Sequence, residues 1–182
     1  MQVNYMAHNK IVHREQGFSL IELLIVVAII LIIAAIAIPS LLRSKQSATE
    51  ASAVSTMRLI TTAEATYSAS YGTTNGYANQ LFLLGPGVPC NAGHACLVDS
   101  NLGCVGEPCL RDGYNFFLIS DGAAPFADYA VTATPQVWGG TGSKNFCAVD
   151  DSVLRYEVGA VASKGAPIPH DTCIVFANYN AI

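Results

Sequence analysis

The sequence predicts an α+β chain. One long N-terminal α-helix, apolar over its membrane-length first half and amphipathic over its second, packs on an antiparallel β-sheet head. Three observations predict it. Apolar residues run unbroken from Leu23 to Ile38. Beyond them Val54, Met57, Ile60, Ala63, Tyr67 and Tyr71 recur at spacings of three or four, the period of one helix face. From Tyr114 onward, short aromatic and β-branched runs alternate with turn signals.

Composition sets the outer bounds. The chain has 182 residues, a net charge of −4, 12% charged residues and 52% hydrophobic ones. That length suits one domain with an appendage. A net negative chain lacks the basic stripe that nucleic-acid binding requires, so no specific nucleic-acid partner is expected. Its low charge and high apolar content also exclude an extended disordered chain.

The first element is the apolar segment, Phe18 to Leu42, which carries a single charge, Glu22. As a helix it is about 37 Å long, enough for a hydrocarbon core of roughly 30 Å. Residues 1–17 are polar, contain Lys10, His13, Arg14, Glu15 and Gln16, and end in Gly17. They look like the start of an export signal. A secretory signal peptide cut after Ala37 is one reading, since Ala35-Ile36-Ala37 supplies small residues. Against it, the apolar run is longer than the usual signal core of about 7–15 residues, and such a peptide has no use for Glu22. Lys10 and Arg14 before the span are balanced by Arg43 and Lys45 after it, so charge alone does not set the orientation.

A carboxylate within a membrane segment costs about 2.5–3.5 kcal/mol at the helix centre and less near the end, and normally has a partner. Glu22 lies one helical turn after Phe18, so a cationic group at Phe18 would stand within its reach. Pro39 deprives the carbonyl of Ala35 of its helical donor, which predicts a kink or local loosening. Ala28, Ala34, Ala35 and Ala37 permit close approach of neighbouring helices.

From residue 43 to 71 the helix turns amphipathic, with Arg43, Lys45, Glu50, Arg58 and Glu64 largely off the apolar stripe and Gly72 as its stop. Residues 72–113 form a breaker-rich, cysteine-bearing loop. Residues 114–182 form the sheet and a C-terminal disulfide region. The expected strands are Tyr114–Ser120, Asp128–Thr134, Lys144–Val149, Val153–Val158 and Thr172–Asn178, with Asp150-Asp151 as a turn. Their short spacings favour an antiparallel meander.

Around Arg14-Glu15-Gln16-Gly17-Phe18-Ser19-Leu20-Ile21-Glu22-Leu23-Leu24 the sequence resembles the type IV pilin family. The resemblance is close over about the first third of the chain: a basic leader ending in Gly, then Phe-Ser-Leu-Ile-Glu, an aliphatic run and Pro39. It implies cleavage between Gly17 and Phe18 by a prepilin peptidase on the cytoplasmic side, and N-methylation of Phe18 by the same enzyme. The apolar segment would be retained, and Glu22 would pair with the Phe18 amine of a neighbouring copy. The segment before Pro39 would be able to lose helix in a filament. The implied partners are further copies of the chain, the peptidase, the pilus assembly machinery and the inner membrane. The precursor would sit in that membrane, N-terminus inside and head in the periplasm, before joining an extracellular pilus for adhesion, motility or DNA uptake. A type II secretion pseudopilin shares the same motif. A membrane-anchored periplasmic binding module is the reading of another class.

Six cysteines, Cys90, Cys96, Cys104, Cys109, Cys147 and Cys173, all follow the apolar segment. An even count in an exported domain suggests disulfides, and six allow 15 connectivities. The resemblance implies a C-terminal loop closed by Cys147–Cys173; the other four are expected to pair within residues 72–113, Cys90–Cys96 with Cys104–Cys109 being one of the arrangements open to them. Zinc on Cys90, His94, Cys96, Cys104 and Cys109 is the competing chemistry, but the spacing lacks the close pairs of ribbons and fingers. Asp150 and Asp151 could join a calcium site, as in the resembling pseudopilins, although adjacent aspartates in a turn are usually solvated. His170-Asp171 has no nucleophile motif beside it and reads as a surface turn. No catalytic site, metal or cofactor is expected.

Overall fold

Ser19 and Glu22 stand at the spacing of a capping box, and α1 (Leu20–Tyr71) begins there. In the computed structural model, which describes residues 17–158 and 166–175, Glu22 Oε2 accepts the Ser19 amide at 3.0 Å. That is the carboxylate half of the box, reaching back to an amide with no helical acceptor. α1 stays helical through Pro39 and ends at Tyr71, where the Gly72 amide bonds the Ser68 carbonyl at 2.8 Å. The expected leader up to Gln16 lies outside the described residues.

The chain divides into two compact units, one reaching Ser40 and the other starting at Leu41. In the first, every described residue is exposed except half-buried Ala34. In the second, the apolar stripe of α1 is buried: Met57 and Ile60 are fully enclosed, Ala63 and Tyr67 nearly so, and Val54 and Tyr71 pack at the margin.

The stripe faces a five-stranded antiparallel meander in the order β1-β2-β3-β4-β5. The strands are β1 (Cys109–Arg111), β2 (Tyr114–Ile119), β3 (Ala130–Pro135), β4 (Lys144–Val149) and β5 (Arg155–Val158). Phe116 stands opposite Ala133, and Ala133 opposite Phe146, so alternate residues share one face. Tyr114, Phe116, Leu118, Val131, Phe146 and Ala148 form one core with Met57, Ile60 and Tyr67. On the other face Ala130, Cys147 and Val149 pack with Ile168 and Cys173. Asp112 and Gly113 join β1 to β2 with φ of 47° and 82°, the two left-handed residues of a two-residue hairpin turn. A Cβ on Gly113 would also lie 2.9 Å from the Thr141 side chain.

Three expectations need correction. The cysteine-bearing segment is not loop throughout, since it contains the short helix α2 (Leu81–Leu84) and strand β1. Residues at the start of the expected last strand form a helix instead, α3 (His170–Ile174). Pro169 precedes it with a φ suited to a helix entry, Asp171 lies in its first turn, and the Cys173 amide bonds the Pro169 carbonyl at 3.0 Å. Residues beyond Val175 lie outside the described ones. Finally, Glu50 and Glu64, expected largely off the apolar stripe, are both buried.

Glu64 is enclosed beside the core, where Oε2 accepts the Ala78 amide at 2.9 Å. Burial pushes its pKa from the ordinary 4.5 up to about 8, opposed in part by that hydrogen bond. The folded state therefore holds a proton that the unfolded chain has released, so stability falls as pH rises from about 4.5 to about 8. Thermal melts across that range are expected to show this loss. Glu64→Gln, which keeps an acceptor for Ala78, is expected to flatten it and raise the melting temperature at pH 8.

Candidate functional site

The functional residues marked by the sequence fall at two places in the chain. The first is the start of α1. Gly17 and Phe18 precede the helix in irregular, exposed backbone, and Phe18 is 87% exposed. An extended, accessible peptide bond is what a protease needs, because a helical one cannot enter an extended binding cleft. Phe18, Ile21, Glu22, Ile25 and Val26 line one surface groove, so the carboxylate stands among apolar neighbours. Glu22 has its own chain's Ser19 amide as a local partner. An amine formed at Phe18 would add a full positive charge close to that carboxylate, a stronger partner than a neutral amide.

From Leu20 to Leu42 the helix is apolar around its circumference with Glu22 as its one charge, and its large side chains are exposed, Leu31 at 63% and Ile36 at 74% among them. α1 is the one described helix long and apolar enough to cross a membrane. Pro39 stands inside it, one residue before the boundary between the two units.

The second place is the head, where all six cysteines are bridged. Cys90–Cys96 and Cys104–Cys109 close short loops, with Cα separations of 5.7 and 5.6 Å. Cys147–Cys173 joins β4 to α3 across 6.0 Å. Bridged sulfurs offer no thiolate to zinc. His94 stacks edge-on against Phe82 with ring centroids 4.5 Å apart. No group of three or more metal-ligating side chains converges among the described residues.

The two aspartates of the β4–β5 turn serve the fold. Asp151 pairs with both terminal nitrogens of Arg155 and accepts the Val153 amide at 2.9 Å. The Arg155 hydrogen bond is the main cause holding its carboxyl below the usual range. Asp150 lies 3.0 Å from His170 Nε2, tying α3 to the turn beside the Cys147–Cys173 bridge. This hydrogen bond raises the pKa of His170. Its stabilising contribution is complete below the unfolded value and is lost as pH rises through the folded one. His170-Asp171 thus opens a helix rather than forming a surface turn.

Three carboxylates that sequence reasoning passed over hold the head together. Glu50 on α1 accepts the Ser143 amide and hydroxyl at 2.8 and 2.9 Å and pairs with Lys144 at 3.2 Å. Glu107 accepts the Leu81 amide through one oxygen and the Leu118 amide through the other, at 2.7 and 2.9 Å, so it pins the loop to α2 and β2 at once. Burial raises its pKa. Glu64 is the third. The available signal was position: Glu50 and Glu64 precede Val54 and Tyr67 of the stripe at helical spacings of four and three.

The bridges should differ in energetic weight. In the loop-entropy account, removing Cys147–Cys173 as paired serines is expected to cost about 3.5 kcal/mol, against about 2 kcal/mol for Cys90–Cys96. Denaturant unfolding of the two double variants checks the order.

A model of the prokaryotic N-terminal methylation motif matches residues 12–38. No curated protein and no solved structure matches the chain. The match covers the exposed Gly17–Phe18 bond, Glu22 and most of the apolar half of α1. Over residues 12–38 the chain carries the prokaryotic N-terminal methylation motif, the processing signal of type IV prepilins and pseudopilins.

Proposed function

We propose that this chain is the precursor of a type IV pilus subunit, a structural protein whose activity is binding copies of itself. A prepilin peptidase cleaves after Gly17 and methylates the new amine of Phe18. The apolar helix then anchors the mature chain in the inner membrane, head in the periplasm, until the assembly machinery draws it into an extracellular filament. One observation carries this reading: the matched methylation motif runs from the residues before α1 into a helix half that is apolar all round and exposed in the single chain. A secretory signal would discard such a helix, whereas processing before Phe18 keeps it.

Retention supplies the chemistry of assembly. A secondary amine at Phe18 remains cationic after methylation. In the filament it pairs with Glu22 of an adjacent copy, displacing that carboxylate from the Ser19 amide. In lipid, Glu22 has only its own chain's groups or a proton. Moving from lipid to a packed bundle of helices gives the carboxylate an opposite charge and the small residues Ala34, Ala35 and Ala37 close neighbours. A pseudopilin would use the same motif. The bridged loops favour the pilus, because disulfides hold a head whose subunits bear tension.

Mass spectrometry of the mature N-terminus tests the processing step. Methylated Phe18 is the expected terminus; an intact leader or a terminus at Ile38 would contradict it. Glu22→Ala is expected to leave cleavage and membrane level unchanged while lowering sheared-filament yield at least about tenfold, the equivalent of one lost charge contact. Wild-type filament yield from this variant would remove Glu22 from the assembly step.

A further inference from the structure

The three bridges stand in unequal environments. Cys147 and Cys173 are fully buried between β4 and α3, and Cys109 is 1% exposed. Cys90 and Cys96 are both exposed, in a loop whose Val88-Pro89 tip also faces solvent. Thiol–disulfide exchange requires a thiolate to reach a sulfur, so access ranks the bridges as targets.

The loop closed by Cys90–Cys96 has two kinds of attachment. Its outgoing strand is held by backbone bonds: Ala95 to Leu83, Cys96 to Gly85 and Leu97 to Leu84, each at 2.8–2.9 Å. Ala95 and Val98 are buried there as well. The part inside the ring is held more lightly. Asn91 and His94 exchange backbone bonds at 2.9 and 3.0 Å, His94 rests on Phe82, and the Ala92 carbonyl accepts the Tyr67 hydroxyl at 2.7 Å. Ala92 and Gly93 also form one wall of a cleft of about 270 Å³ lined by Tyr67, Asn75, Tyr77 and Phe126.

We infer that Cys90–Cys96 is a thiol-exchange site, the first of the three bridges to react with a small external dithiol, and that its opening frees the ring segment 90–94, lifting Ala92 and Gly93 from the Tyr67 cleft, while the sheet stays intact. The step is balanced. One thiolate of the dithiol attacks a bridge sulfur, the Cys90–Cys96 bond breaks, and a mixed disulfide forms. The second thiol closes the dithiol into its own disulfide and leaves two protein thiols. Two electrons and two protons pass from reagent to protein. Residues 95–98 keep their backbone bonds to α2 and act as the hinge. The released segment uncovers the Tyr67 hydroxyl and the face of Phe82.

The experiment uses the full mature chain in detergent, exposed to limiting dithiothreitol and quenched with iodoacetamide. Peptide mapping is expected to find carbamidomethyl groups on Cys90 and Cys96 at an initial rate on the order of tenfold above the other four cysteines. Hydrogen exchange of that species is expected to show lost protection at the Asn91 and His94 amides, with Ala95, Leu97 and the β2–β4 amides unchanged. The double variant Cys90→Ser, Cys96→Ser should reproduce this pattern without reductant. First labelling at Cys104, Cys109, Cys147 or Cys173, simultaneous labelling of all six, or no labelling short of global unfolding would overturn the inference. Retained protection at Asn91 and His94 once the bridge is open would overturn the release.

Discussion

An α-helix apolar on every side has no stable existence in water. From Leu20 to Leu42, α1 presents leucine, isoleucine and valine all around its circumference, with Glu22 as its one charge. Each buried methylene is worth about 0.8 kcal/mol, so the segment is strongly driven to leave solvent. Only lipid or other helices can cover it. Lipid covers the aliphatic side chains but leaves the carboxylate poorly served, whereas a bundle of like helices covers both. The processing motif, the location of Glu22 and the alanine-bearing stretch before Pro39 all bear on that same need.

The head meets a different constraint. α1 beyond Leu41 buries one stripe against one face of a small meander, and that seam is tied by carboxylates. Glu50 fixes the helix to the β3–β4 connection, Glu64 holds the chain as it leaves α1, and Glu107 links α2 to β2. Each accepts backbone amides that loops would otherwise leave unpaired in a buried setting. Disulfides do the remaining work on segments with little core of their own, the loop after α2 and the C-terminal helix. As pH falls, Asp151 and Asp99, whose carboxylate accepts the Leu102 amide, lose their contributions, and as pH rises Glu64 and His170 lose theirs, Glu64 from about pH 4.5 upward.

Much of the fold was legible because two periodicities survive in the sequence. The spacing of Met57, Ile60, Ala63 and Tyr67 marks a helix seam, and the alternation through Tyr129, Val131 and Ala133 marks a strand with one face on it. What was not legible depends on contacts distant in sequence. Nothing local to Glu64 announces the Ala78 amide, and nothing local to Glu107 announces Leu118. Thr172–Val175 has strand-like composition, yet it lies after Pro169 and is anchored by Cys173, so a short helix forms. The Asp112-Gly113 turn was a readable local signal, and it accounts for β1 lying inside a segment otherwise rich in breakers. At the candidate site, the motif residues are readable because they are contiguous in sequence and need no distant contact to define them.

We propose that the retained helix joins copies through a charge contact at its tip. A side-chain-resolution reconstruction of the assembled filament measures it directly. The account predicts the Phe18 nitrogen of one copy within about 4 Å of the Glu22 carboxylate of another, inside a core of packed apolar helices. Glu22 folded back on its own Ser19 amide in every copy, with no neighbouring amine, would contradict it.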